Sequence, residues 1–165
     1  MKKFARLLLC LSLAALFAGI SPLAAQDGNP LKSEMKAYRV VTDAEGEETL
    51  VATDNVEPGE TVEYVMTYSN VSDQTLNQIR VQGPVPPEMV YVADSASKPA
   101  GVLVEYSVDG GQTFSVPPVK YQKQLEDGTI VEAVATPDLY NLVRWTISSL
   151  SGSDSATLRY RVSVR

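Results

Sequence analysis

Thr61-Val62-Glu63-Tyr64-Val65-Met66-Thr67-Tyr68-Ser69 is the stretch on which the fold turns. Val62, Tyr64, Met66 and Tyr68 fall on one side of an extended chain. Thr61, Glu63, Thr67 and Ser69 fall on the other, with Val65 the one apolar exception. Alternation with a period of two over this length predicts a strand with one face buried and one wet. The end of the chain repeats the pattern, with Leu158, Tyr160, Val162 and Val164 opposed to Thr157, Arg159, Arg161, Ser163 and Arg165. Between the two lie further alternating sets: Ile79, Val81 and Val85; Val102, Val104, Tyr106 and Val108; Val143, Trp145 and Ile147.

Turn signals separate these runs. Asp43-Ala44-Glu45-Gly46-Glu47 joins Met35–Thr42 to Thr49–Asp54 as a hairpin, and Glu57-Pro58-Gly59-Glu60 launches the decisive strand. Pro84, Pro86 and Pro87 close the Ile79 run. Strands at this spacing, with no helical stretch, predict an all-β, antiparallel β-sandwich of about seven to nine strands. No segment repeats itself, so the chain is one module rather than an array.

Upstream of the strands, Lys2, Lys3 and Arg6 precede an apolar run, Leu7–Ile20, too short to span a bilayer. Ser21-Pro22 breaks the run, and Leu23-Ala24-Ala25 offers small residues for cleavage before Gln26. This order predicts a signal peptide over residues 1–25. Cys10 follows Leu7-Leu8-Leu9, where a lipoprotein box needs a small residue at Leu9, so lipidation is rejected. Residues 26–34, with Gly28-Asn29-Pro30, read as a flexible N-terminal lead-in, and residues 35–165 as the single sandwich domain.

Cleavage would remove three of the 14 basic residues and none of the 20 acidic ones, moving the net charge from −6 to −9. Such a chain has no electrostatic reason to seek nucleic acid or an anionic membrane surface. Cys10 is the sole cysteine and there is no histidine. After residue 25 neither thiol nor imidazole remains, which removes disulfides, Cys/His zinc sites and haem ligation through these residues.

Ser107-Val108-Asp109-Gly110-Gly111-Gln112-Thr113-Phe114 fits an Asp-box hairpin: side-chain oxygens hold the turn, glycines supply positive φ, and the aromatic packs beneath. Its expected role is structural. The acidic turns, Asp43 with Glu45, Glu47 and Glu48, and Glu126-Asp127-Gly128, lack a Ca²⁺-loop register. A serine nucleophile without histidine would need lysine, and Lys120 and Lys123, near Tyr121, follow no S-x-x-K spacing. Trp145 shares its face with Val143 and Ile147 and is expected in the core rather than on a sugar-stacking platform. No residue qualifies as catalytic, cofactor-binding or metal-ligating.

Three spaced segments resemble a known family. Val56-Glu57-Pro58-Gly59-Glu60-Thr61-Val62-Glu63-Tyr64 with Thr67-Tyr68-Ser69-Asn70 resembles the opening of the conserved repeat domain, domain of unknown function 11. Gly83-Pro84-Val85-Pro86-Pro87 with Met89-Val90-Tyr91-Val92 resembles its central segment. Trp145-Thr146-Ile147, Leu150 and Ser155-Ala156-Thr157-Leu158 resemble its close. Gly83 stands where the family has Asp, Pro87 replaces a small residue, and Gly152 stands one position early. The resemblance implies an immunoglobulin-like sandwich in envelope or surface proteins, with no assigned activity. The expected function is an exported, non-catalytic structural or protein-interaction module of the bacterial cell envelope, periplasmic or extracellular. It would contact another envelope or surface protein, with no nucleic acid and no membrane insertion after signal cleavage. Arg159, Arg161 and Arg165 form the candidate contact face, unless they only keep it soluble. The alternative is a Ca²⁺- or glycan-binding sandwich.

Overall fold

The structure, a computed structural model, describes residues 28–53 and 55–165. The signal peptide expected over residues 1–25 lies outside them.

The alternating runs become strands. β1 (Leu31–Thr42) and β2 (Glu48–Ala52) form the expected hairpin, followed by β3 (Thr61–Asn70), β4 (Leu76–Pro84), β5 (Met89–Tyr91) and β6 (Val102–Ser107). β7 (Lys120–Gln124), β8 (Ile130–Val134), a 3-10 turn at Pro137–Leu139, β9 (Leu142–Leu150) and β10 (Ser155–Val164) complete the chain. In the Glu57–Glu60 turn, Pro58 takes the position that fixes φ and Gly59 the next one at φ +87°, closed by Glu60 N–H donating to the Glu57 carbonyl at 3.1 Å. That is a type II turn, which requires glycine there.

Eight strands make an antiparallel β-sandwich. One sheet has the order β2-β1-β3-β10-β5 and the other β4-β9-β6; β7 and β8 pair only with each other. The ten strands exceed the expected number because of this extra hairpin. β1 also starts earlier than expected: Leu31–Glu34, read as lead-in, pair with Thr67–Asn70 of β3. The strand order differs from that of a constant-type immunoglobulin domain. There the last two strands share one sheet, whereas β9 and β10 lie in opposite sheets.

The core is where the alternation placed it. Val62 and Met66 of β3, Val143, Trp145 and Ile147 of β9, and Leu158, Tyr160 and Val162 of β10 are buried. Trp145 and Tyr160 meet across the sandwich with ring centroids 5.7 Å apart. Their polar atoms are satisfied: the indole N–H donates to the Ser97 carbonyl at 3.0 Å and the phenol to the Pro84 carbonyl at 2.7 Å. Both rings press on the backbone of Gly83, where an added Cβ would lie 2.5 Å from Tyr160 Cε1 and 3.1 Å from Trp145 Cζ3. A side chain has no room there, which is the physical reason for glycine at this position.

Asn70, 1 % exposed, ties the two sheets at one end. Its amide nitrogen lies 3.0 Å from the Leu150 carbonyl, 2.9 Å from that of Ser151 and 2.7 Å from that of Gln74. Its carbonyl accepts from the Ser72 hydroxyl at 2.7 Å.

Candidate functional site

The Asp-box forms as its residues require. Ser107 Oγ donates to Asp109 Oδ1 at 2.7 Å and accepts from Gly111 N–H at 2.9 Å. Asp109 accepts from the Thr113 hydroxyl at 2.6 Å and from its N–H at 2.9 Å. Gly110 and Gly111 have φ of +72° and +89°. These donors, those of Thr113 foremost, hold the Asp109 carboxyl down at about 2. The Phe114 ring lies beneath the Arg144 guanidinium, 3.9 Å from its centroid. The Ser107 and Asp109 side chains are used by the turn itself, while Gly110 N–H donates to Asn141 Oδ1 at 3.2 Å. Beside it, a cleft of about 490 Å³ opens toward β7 and β8, lined by Asp109, Thr113, Lys120, Tyr121, Gln122 and Glu132. Lys120 is committed to Glu132 at 2.7 Å, so it is not poised as a base.

Among the described residues no three Asp or Glu side chains gather into a group able to hold a metal ion. Trp145 is fully buried and offers no platform.

The terminal arginines, the expected contact face, make bonds within the chain. Arg161 Nε donates to Glu63 at 2.8 Å, and its two other nitrogens meet the Glu48 carboxylate at 2.8 and 3.1 Å. Arg159 stands 3.6 Å from the other Glu63 oxygen, and Arg165 donates to the Pro87 carbonyl at 3.1 Å. Glu63, on the wet face by periodicity, is only 6 % exposed because these guanidiniums cover it. Arg161 holds Glu48 well below the usual carboxylate range, and its own pKa is raised by both glutamates. The cluster clips β2 to β3 and β10, and Arg161 is not free for a partner.

The open surface lies instead along β1. β3 pairs with Leu31–Val40, but β2 covers the other edge only from Tyr38 to Thr42. The carbonyls of Ala37 and Val41 face the β2 side, accepting from Thr53 N–H and the Thr49 hydroxyl. With a period of two, the N–H and C=O groups of Ser33 and Met35 point the same way, where no strand of the described residues lies. A groove of about 470 Å³ opens there between Met35, Ala37, Ala52 and Thr53. Met35 is 45 % exposed and Val51 42 %. Pairing places Met35 and Val51 on the core side of the sheet, through Met66, and through Arg39 and Val62. They stay uncovered because the five-stranded sheet overhangs its three-stranded partner. Sequence reasoning missed only the start of this edge, Leu31–Glu34: Leu31, Ser33 and Met35 do alternate with Lys32, Glu34 and Lys36, but Ser33 weakens the pattern and Gly28-Asn29-Pro30 just ahead of it reads as a lead-in.

No family model, no curated protein and no solved structure matches this chain. No helix among the described residues is long and apolar enough to cross a membrane.

Proposed function

We propose that the chain is an exported, non-catalytic protein-interaction module of the bacterial cell envelope, acting through the open edge of β1. One observation carries the reading: among the described residues nothing pairs with the outward backbone groups of Ser33 and Met35, which lie beside a groove lined by Met35, Lys36, Ala37, Tyr38, Ala52 and Thr53, with Met35 exposed. An edge of this kind accepts an added strand, main-chain bonds giving affinity and alternate side chains giving selectivity. Export rests on the basic, apolar and small-residue order of residues 1–25. Membership of the conserved repeat domain family is part of the proposal: its three segments fall on β3, the β4–β5 corner and β9–β10.

The test places a photocrosslinking amino acid at Met35 in the intact envelope. A discrete adduct is expected, and with the crosslinker moved to Ser33, Met35→Pro should lose it, since proline removes an N–H that β3 does not use. No adduct above that from a probe at Asp127 would overturn the reading. Export is checked by the intact mass of the released protein, expected to begin at Gln26; a mass that includes Met1 would refute it.

A second reading, a glycan-binding module, draws on the cleft where Tyr121 adjoins Asp109, Gln122 and Glu132. A glycan-array signal lost in Tyr121→Ala would favour it over edge binding.

A further inference from the structure

The open edge carries a pattern that reads the same way from both directions. Leu31, Ser33 and Met35 lie on the core side of the sheet; Lys32 and Glu34 lie on the outer side. We propose that the partner of this edge is a second copy of the chain, whose β1 pairs antiparallel with the first about a two-fold axis at Ser33. The proposal rests on the edge reading above and names its occupant.

The register follows from three constraints. The backbone groups on the open edge belong to odd-numbered residues, as the Ala37 and Val41 carbonyls show. A symmetric antiparallel pair must therefore join odd residues to odd ones, which allows a two-fold axis at Lys32, Ser33, Glu34 or Met35; an axis at Lys32 or Glu34 sets that residue against its own copy, like charge facing like charge. Centring on Met35 would set residue 32 of the second copy opposite Tyr38, a place that Ala52 of β2 already occupies. Centring on Ser33 avoids this. It sets residue 30 of the second copy opposite Lys36 and residue 38 opposite residue 28, beyond the start of β1. Neither β2 then obstructs the other strand.

In the Ser33 register the side chains match. Leu31 faces Met35 of the second copy on the core side, and Lys32 faces its Glu34 on the outer side, each twice by symmetry. Opposite charges and apolar pairs directly across a ladder stabilise it, and like charges destabilise it. Glu34 is within 3.0 Å of Lys36 in its own chain, so each carboxylate would sit between two ammonium groups. The chain as a whole is acidic, which opposes self-association at most surfaces. This edge, with two lysines to one glutamate, is locally exempt. Partially exposed Met35 would be covered, and the larger sheet would run continuously through both copies.

Disulfide trapping tests the register. Cα atoms of a hydrogen-bonded antiparallel pair stand about 5.5 Å apart, within disulfide reach. In the full chain with Cys10→Ser, Ser33→Cys should oxidise to a covalent dimer. Thr42→Cys, on the same strand but beyond the pairing, should not. Without any cysteine, Lys32→Glu should weaken the dimer about tenfold by sedimentation, and Glu34→Lys likewise, while the double swap K32E/E34K restores it. All four positions are exposed, so folding is not at stake. Equal trapping at positions 33 and 42, or a protein monomeric at several hundred micromolar, would overturn the proposal. A monomer still crosslinked through Met35 to a different protein would overturn self-pairing while leaving the edge reading intact.

Discussion

At the scale of single residues, Trp145 joins the two sheets. Truncating a buried aromatic costs about 3–5 kcal/mol, a large share of a small domain's stability. Trp145→Ala should unfold the domain or lower its denaturation midpoint sharply, and emission from this sole tryptophan should be blue-shifted in the wild type. Gly83→Ala should cost about 1–3 kcal/mol in chemical denaturation, because the Tyr160 and Trp145 rings that it would strike are both immobile in the core. Asp109 supplies a pH signature. Its folded pKa of about 2 lies below the free value of 3.8. Its contribution is therefore complete above about pH 4 and is lost as pH falls toward 2. The melting temperature of Asp109→Asn should fall less than that of the wild type over that interval.

At the scale of elements, the arginine cluster and the β7–β8 hairpin behave differently. Arg161→Ala would leave the covered Glu63 carboxylate without its closest cation. Breaking a fully buried pair costs about 3–5 kcal/mol. With the Arg161 side chain 28 % exposed, a loss of about 2 kcal/mol is expected after allowing for solvent screening. The double variant R161A/E63Q should recover most of it in urea unfolding, since no charge is then stranded. The hairpin is held by Val119, Ala135 and Tyr121 at its base, and a two-stranded ribbon is marginal alone. Amides of β7 and β8 should exchange with deuterium well before those of β3, β9 and β10.

The same contrast explains what could be read from the sequence. β3, β9 and β10 were legible because each has one buried face, so period-two patterning is enforced by packing. Lys120–Gln124 was not, because all of it but Tyr121 is exposed and free of that constraint, and Leu31–Glu34 was not, because its weak alternation directly follows the turn-like Gly28-Asn29-Pro30. The side of the sheet on which Arg159 and Arg161 lie was legible. Their partners were not, since Glu48 and Glu63 are distant in sequence and periodicity says nothing about pairing. For the same reason the immunoglobulin order did not follow from the strands.

At the scale of the whole molecule, stability should be indifferent to calcium. Ligation needs six or more converging oxygens, and the acidic turns of the described residues do not converge. A ligand bound only to the folded state at a hundredfold excess over its Kd adds about 2.7 kcal/mol. Thermal melts in millimolar Ca²⁺ and in chelator should therefore superimpose; a rise of several degrees with calcium would show a site. The buried phenols set the alkaline limit. Burial raises Tyr106 and Tyr160 far above the ordinary value of 10.0, so the stability they contribute is complete below pH 10 and drains away above it. Ultraviolet titration should show these two ionising only together with unfolding.

The placement of β10 has a consequence for how the molecule comes into being. β3 needs β10 as its inner neighbour, yet Val62 waits for Val162, about 100 residues of synthesis later. Until then β3 has only β1 beside it, β5 has no neighbour at all, and Trp145 has no Tyr160 to close against. The nascent chain should therefore stay loose until this strand arrives. Chains stalled on the ribosome should remain protease-sensitive when Ser155 has just emerged and become resistant only once Val164 is free.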